Sequence, residues 1–316
     1  MIEFLLLLVG MAGLWLGSEI LIGGATELTD RFHLSDAAFG ILVLAIGTDL
    51  PELFVAVDAS IRSIGGQDVA GIVVGSAVGS AIGQFGLVFG TAGLIGFAPM
   101  RRRYLPRNLF FLVGSIVALA GLSLDGELSR IDGLLLMVFY STYLGLVIFR
   151  RRHSPDATVG SATADPWKAA LKLAGGLVML LLAAELTVIS AVAFGDAVGL
   201  SNVAVSAIVI GMGSSLPEMS VSFAALLRNR GGLSVGNLIG SNILDTLLVP
   251  GLAATIAPLA MPQAVLMIDL PVLLAVTLLV IGFLYVSRRG VQKPEAVILL
   301  GLYVGYAVVR LSGPGS

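Results

Sequence analysis

The chain contains no cysteine, two histidines and two tryptophans among its 316 residues, and only 12% of those residues are charged. Without cysteine, disulfides and thiolate metal sites are excluded. His33 and His153 each sit beside charged or loop-like residues, which argues against a histidine metal centre or a His-dependent catalytic triad. No EF-hand loop or Walker motif is present, so any transport is expected to run on ion gradients rather than ATP. The scarcity of charge excludes most. An ordinary soluble domain is about 25% charged. Here 57% of the residues are hydrophobic and the mean hydropathy is +1.01. These residues cannot clothe a water-soluble fold, and the expected class is an all-α integral membrane protein embedded in a lipid bilayer. No basic region precedes the first apolar run, so a cleavable signal peptide is not expected. The net charge of −2 carries no signal for nucleic acid.

Apolar stretches of about 20 residues are the units of a membrane chain. The sequence divides into ten: 3–28, 35–61, 68–97, 105–123, 130–149, 168–194, 201–227, 232–258, 264–286 and 294–311. The longest polar break separates 1–149 from 168–311 and makes 150–167 a linker, with 312–316 as a tail. An outside N-terminus leaves only Arg62, Arg130 and Arg310 outside. All other Lys and Arg, including Arg101–Arg103, Arg150–Arg152, Arg228 and Arg230, then fall on the cytoplasmic side. That bias is the one the positive-inside rule requires. It supports ten spans in a cell membrane with both termini outside.

One motif occurs twice. Gly47-Thr48-Asp49-Leu50-Pro51-Glu52 returns as Gly213-Ser214-Ser215-Leu216-Pro217-Glu218. Each copy is followed by a Gly-Ser segment, Gly75–Ser80 and Gly236–Ser241. Proline deletes a helical hydrogen bond, and a carboxylate inside a bilayer needs a partner or a cavity. Placing both at matching points marks an ion site built by an internal repeat. Glu19 and Glu185 precede their motifs at the same 166-residue offset. Beyond the motif the offset is 161, pairing Ser80 with Ser241 and Gln84 with Asp245. Five spans per half is an odd number, so the second half is expected upside down relative to the first. The fold class is therefore two inverted five-helix repeats, with helices 2 and 7 interrupted at the Pro-Glu motifs. The polar set is Thr48, Asp49, Glu52, Ser80, Gln84, Ser214, Ser215, Glu218, Ser241 and Asp245. It offers oxygen ligands, which suit Ca2+, Na+, K+ or Mg2+ rather than zinc or copper. Gly71, Gly75, Gly79 and Gly83 line one helix face and are expected to let helices approach closely.

On these two motifs and their Gly-Ser partners the chain resembles the Ca2+:cation antiporter superfamily, in particular prokaryotic Na+/Ca2+ exchangers. The resemblance implies exchange of Ca2+ for Na+ by alternating access, with the first and sixth helices sliding over a fixed core. It implies Glu52 and Glu218 as central Ca2+ ligands, helped near Thr48 and Ser214. It further implies Ala45 and Gly211 as carbonyl donors to Na+, Ser80 and Ser241 at Na+ sites, and Asp245 flanking the centre. Ca2+ and Na+ are then cargo, no organic cofactor is expected, and the protein is expected to be a monomer. Asp49 stands where the family has a small hydroxyl residue, and Gln84 where it has Asn or Asp. Asp49 brings a fourth carboxylate, so the site holds either more cation charge or a proton. This opens a divalent cation/H+ exchanger as the alternative, although Asp49 could equally cap a broken half-helix. Glu19 and Glu185 lie in the sliding helices, facing a vestibule or an interface. An intramembrane metal-dependent enzyme or a cation channel would not need mirrored acidic motifs.

Overall fold

The computed structural model describes residues 2–65, 70–95, 105–151, 165–197, 213, 215–286 and 291–312. Almost all of these are helical. In chain order the helices are α1 (Ile2–Arg31), α2 (Asp36–Thr48), α3 (Leu50–Ile64), α4 (70–95), α5 (Leu105–Leu122) and α6 (Arg130–Arg151). They continue with α7 (Pro166–Ala197), α8 (Leu216–Leu227), α9 (Gly231–Ile256), α10 (Val265–Tyr285) and α11 (Lys293–Ser312). The one sheet among the described residues pairs Glu127–Leu128 antiparallel with Leu259–Ala260 and ties the start of α6 to the end of α9.

Six of these helices are long and apolar enough to cross a bilayer, and seven if the bent pair α2–α3 counts as one span. The expected spans 105–123 and 294–311 appear as the helices α5 and α11. The expected span 201–227 is described only at 213 and from 215 onward, and most of the linker lies outside the described residues. Large apolar side chains face outward all round, including Phe54, Phe110, Phe149, Leu182 and Met267. In water that surface would be prohibitive; in hydrocarbon it is the required one. The chain is a multi-pass integral membrane protein.

The innermost helices are α4 and α9. In each, 78% of the membrane-crossing window is buried, against 28–33% in α1, α6 and α7. α9 packs along α2: Gly232 meets Asp36, Gly236 meets Ala37, and Gly240 meets Ile41 and Ala45. Residue numbers rise together, so the two run parallel. α1 and α7 pack chiefly on one another. Gly10 lies on Thr187, Gly17 on Leu180, and Gly24 on Ala169 and Leu173, which makes this pair antiparallel. A Cβ at Gly17 would stand 2.8 Å from the Leu180 backbone nitrogen, so only glycine permits this approach. Positions 166 apart trade places across the seam, with Gly10 against Thr187 and Gly176 against Leu21.

α1 and α7 have 30 and 32 residues. At 1.5 Å per residue each is about 45 Å long, well beyond an about 30 Å hydrocarbon core, so they tilt or project. Ion pairs tie one end of this pair to the bundle. Glu19 binds Arg228 at 2.6 Å, and Asp30 binds Arg230 at 2.7 Å. Arg230 also reaches Asp36 at 3.1 Å.

Candidate ion-binding site

The site is built by the bend between α2 and α3, the start of α8 and two continuous helices. α2 and α3 meet at 47°. Between them Asp49 holds φ −88°, ψ 7°, outside both the helical and extended basins. Pro51 follows in the first turn of α3 and has no N–H to return to the Gly47 carbonyl. The second copy repeats this backbone. Ser215 holds φ −97°, ψ 2°, with Pro217 in the first turn of α8. The bend before α3 and the start of α8 therefore sit at the same motif position and share the same local backbone.

Asp49 precedes α3 as its N-cap but makes no side-chain capping bond. The capping role is thus not the one its carboxylate performs. Both its oxygens are buried without a hydrogen-bond partner among the described residues. Glu52, one turn into α3, and Glu218, one turn into α8, are buried as well. The Glu218 carboxylate faces the side chains of Asp49 and Thr48. Asp49 lies within the electrostatic reach of Asp245, Glu218 and Glu52. All four acids therefore share one buried region.

α4 and α9 close the site with π-helical turns at Gln84–Val88 and Leu244–Leu248. A π-turn inserts a residue into the helical ladder and re-aims its side chains, a device frequent at functional sites. Here Gln84, the first residue of one turn, and Asp245, the second of the other, meet: Gln84 Nε2 donates to Asp245 Oδ2 at 3.1 Å and to Ser80 Oγ at 3.3 Å. Asn242 Nδ2 donates to Gln84 Oε1 at 2.7 Å and fixes the amide's orientation. Sequence reasoning missed Asn242, although it directly follows Ser241 in the second Gly-Ser segment, where the first copy has Ala81.

Of the expected site residues, Thr48, Asp49, Glu52, Ser80, Gln84, Ser215, Glu218, Ser241 and Asp245 are all buried at this centre. The Ala45 carbonyl, expected as a free donor, accepts from the Asp49 N–H at 3.0 Å and the Thr48 hydroxyl at 3.3 Å. Ser214 and Gly211 lie outside the described residues. Nothing among the described residues approaches a Cβ at Gly75 or Gly79. Their counterparts Gly236 and Gly240 pack on α2, and the matching stretch before Gly213 is outside the described residues.

Buried polar atoms are almost always paired. Here Asp49 Oδ1 and Oδ2, Glu52 Oε2, Glu218 Oε1 and Oε2 and Asp245 Oδ1 have no hydrogen-bond partner among the described residues, nor do Ser215 Oγ and Ser241 Oγ. This is a set of hard oxygen donors with unused capacity, suited to hard cations. Among the described residues no three acids converge closely enough to hold a metal ion by themselves. Hydroxyl, amide and carbonyl oxygens would have to complete any coordination shell.

An apolar cavity of about 360 Å³ lies between α1, α7 and α8, lined in part by Leu14, Trp15, Val188, Gly213, Leu216 and Phe223. It abuts the start of α8 from the side of the α1–α7 pair.

A bent membrane span with buried oxygen ligands gathered beside it defines a secondary transporter of cations. The chain belongs to the sodium/calcium exchanger protein family, whose profile matches residues 2–149 and 168–312. It is 29% identical to the putative antiporter CaxA of Alkalimonas amylolytica, over 99% of each chain. It is 27% identical to the sodium/calcium exchanger MaX1 of Methanosarcina acetivorans, over 98% of each. A solved structure of the sodium-calcium exchanger NCX_Mj, soaked with Na+ and Ca2+, superposes with a TM-score of 0.82 at 28% identity, covering 99% of both chains. The family's members are transporters, not enzymes, and cation antiport is the activity it brings.

Proposed function

We propose that this protein exchanges Ca2+ for Na+ across a cell membrane by alternating access. The observation that carries the reading is the shared burial of Asp49, Glu52, Glu218 and Asp245, two from each motif copy and its partner segment, with oxygens left unpaired. Ca2+ takes six to eight oxygen ligands at about 2.3–2.6 Å and favours carboxylates. In this reading Glu52 and Glu218 are the central Ca2+ ligands, and Thr48 and Ser214 help them. Ser80, Ser241, Ser215, Ala45 and Gly211 serve Na+, while Asp245 flanks the centre and is held by Gln84. The relatives named as a sodium/calcium exchanger and the neighbour soaked with both ions support this choice of cargo. The inverted arrangement of two five-helix halves, 1–149 and 168–311, belongs to the same proposal. The residues trading places along the α1–α7 seam support it.

The test is uptake of radioactive Ca2+ by proteoliposomes loaded with Na+, beside K+-loaded and pH-jump controls. Na+-dependent uptake in the wild type that disappears in Glu52→Gln is the expected result. One observation favours a second reading, in which H+ is a coupling ion: Asp49 is an uncapped buried carboxylate where a hydroxyl would suffice for Na+. Uptake that follows the pH gradient and ignores Na+ would replace the first reading with the second.

A further inference from the structure

We infer that Glu19–Arg228 and Glu185–Arg62 are two symmetry-related latches that close in alternation, each fastening the α1–α7 pair to the bundle at one membrane face. The inference rests on the antiport reading and on the 166-residue offset. Adding that offset to Glu19 gives Glu185, and adding it to Arg62 gives Arg228. The two potential ion pairs are thus the same pair written twice. Neither arginine is explained by the ion site.

The structure holds the two in opposite conditions. Arg228 Nη2 and Nε both reach Glu19 Oε2, at 2.6 and 3.1 Å. The arginine caps the end of α8 and the glutamate lies midway along α1, so the contact joins the pair to the bundle. At the equivalent position Arg62 turns back one helical turn to Asp58, at 2.8 Å, with both side chains more than half exposed. Glu185 is exposed and has no partner among the described residues. Two chemically identical pairs, one made and one unmade, record a conformation that departs from two-fold symmetry at this point. By the ten-span count Arg62 and Arg228 stand at opposite membrane faces, so exchanging the two conditions would open one face and close the other.

The rest of the fold suits such an exchange. α1 and α7 are bound mainly to each other through a glycine seam, so they move as one body. The side chains of Arg228 and Glu19 are 39% and 27% exposed, so the pair lies at the edge of the packed interior rather than locked within it. Arg62 keeps a substitute partner in Asp58, which holds its charge satisfied while its latch is open.

The absence of cysteine makes the test clean. Two double variants are needed, Glu19→Cys with Arg228→Cys, and Arg62→Cys with Glu185→Cys. Each joins the two halves of the chain, so a protease site placed between Arg151 and Asp165 reveals a cross-link as uncut mass. A short bifunctional thiol reagent is applied in Na+, in Ca2+ and in K+ alone. The expected result is reciprocal yields: conditions that favour one cross-link disfavour the other. Arg228→Gln in the second double variant should raise its cross-link by about two- to fivefold, the range a partly exposed ion pair supplies. Yields that rise and fall together, or an Arg62/Glu185 cross-link that never forms while the other does, would overturn the inference. Wild-type flux measured in parallel separates the readings. Reciprocal yields with a different transported pair would remove the Ca2+/Na+ reading alone. Na+-driven Ca2+ flux without reciprocity would remove the latches alone.

Discussion

Replacing Gly236 with alanine tests how the fold holds the site, because one methyl group would meet backbone rather than a movable side chain. A Cβ at Gly236 would stand 2.4 Å from the Ala37 carbonyl oxygen and 2.9 Å from its Cα. Ordinary contact begins near 3.4 Å, so α2 must retreat from α9 by about 1 Å, and overpacking of this kind costs about 1–3 kcal/mol. The displaced helix ends at Thr48 and Asp49, whereas α9 itself carries Ser241 and Asp245. The clash therefore widens the site along with the seam. Misplacing reactive groups by about 1 Å costs about a hundredfold in enzymes, and ligands that must converge on one ion face a comparable demand. The control is Gly145→Ala on α6, where the glycine is exposed and a Cβ meets nothing within 4 Å. There the alanine should stabilise the helix by about 0.5–1 kcal/mol. Thermal unfolding in detergent and Na+-dependent Ca2+ uptake give the two readouts. Opposite signs of the stability change, with uptake lost only in Gly236→Ala, are expected. Gly236→Ala that unfolds at or above the wild-type temperature and transports normally would refute the packing argument.

Gln84→Ala removes the donor to Asp245 Oδ2, a hydrogen bond to a charged group worth about 1.5–3 kcal/mol. Ca2+ binding by titration calorimetry should weaken about ten- to hundredfold, and Asn242→Ala, which frees only the amide's orientation, should weaken it less. Arg310→Met strands Asp269, which is buried and, among the described residues, otherwise bound only by the Tyr306 hydroxyl at 3.1 Å, against an Arg310 contact of 3.2 Å. A loss of about 1–3 kcal/mol in unfolding stability is expected, scaled down from a fully buried pair because Arg310 is partly exposed. Asp269→Asn added to that variant should recover part of it. Asp49→Ser should keep the fold and alter the charge moved per Ca2+, read as a shift in the voltage at which uptake reverses.

The membrane class and the bend at the first Pro-Glu motif were legible because their causes are local: apolar runs, and a proline one residue before a glutamate. The equal backbone angles at Asp49 and Ser215 follow from that local chemistry. What could not be read depends on contacts between distant segments. The N-cap option for Asp49 fits its position in the chain, yet its oxygens turn into the acid cluster instead. The Ala45 carbonyl is expected as a Na+ donor from the family resemblance, and nothing in the spacing of the motif shows that the Thr48 hydroxyl folds back onto it. Asn242 and Arg228 act across 158 and 209 residues of chain. No periodicity reveals such a pair; only the folded neighbourhood does.

The repeat is unequal in its charges, and the inequality cancels. At the matched positions 49 and 215 the first copy has Asp and the second Ser; at 84 and 245 the first has Gln and the second Asp. With Glu52 and Glu218, each half contributes two carboxylates. Folding then gathers all four into one buried region, where Asp49 and Asp245 feel one another directly. Isolated charge cannot stay buried in hydrocarbon without compensation. A single Ca2+ neutralises only two of these four carboxylates, so an occluded Ca2+ state must also hold two further positive charges, as monovalent cations, protons or one of each. If cations from the cargo supply the balance, Asp49→Ser lets one positive charge fewer travel with each Ca2+, and the reversal voltage moves. If a proton stays on Asp49 throughout the cycle, the same substitution leaves the transported charge unchanged. The voltage measurement therefore assigns Asp49 either to the cargo or to the resting charge of the protein.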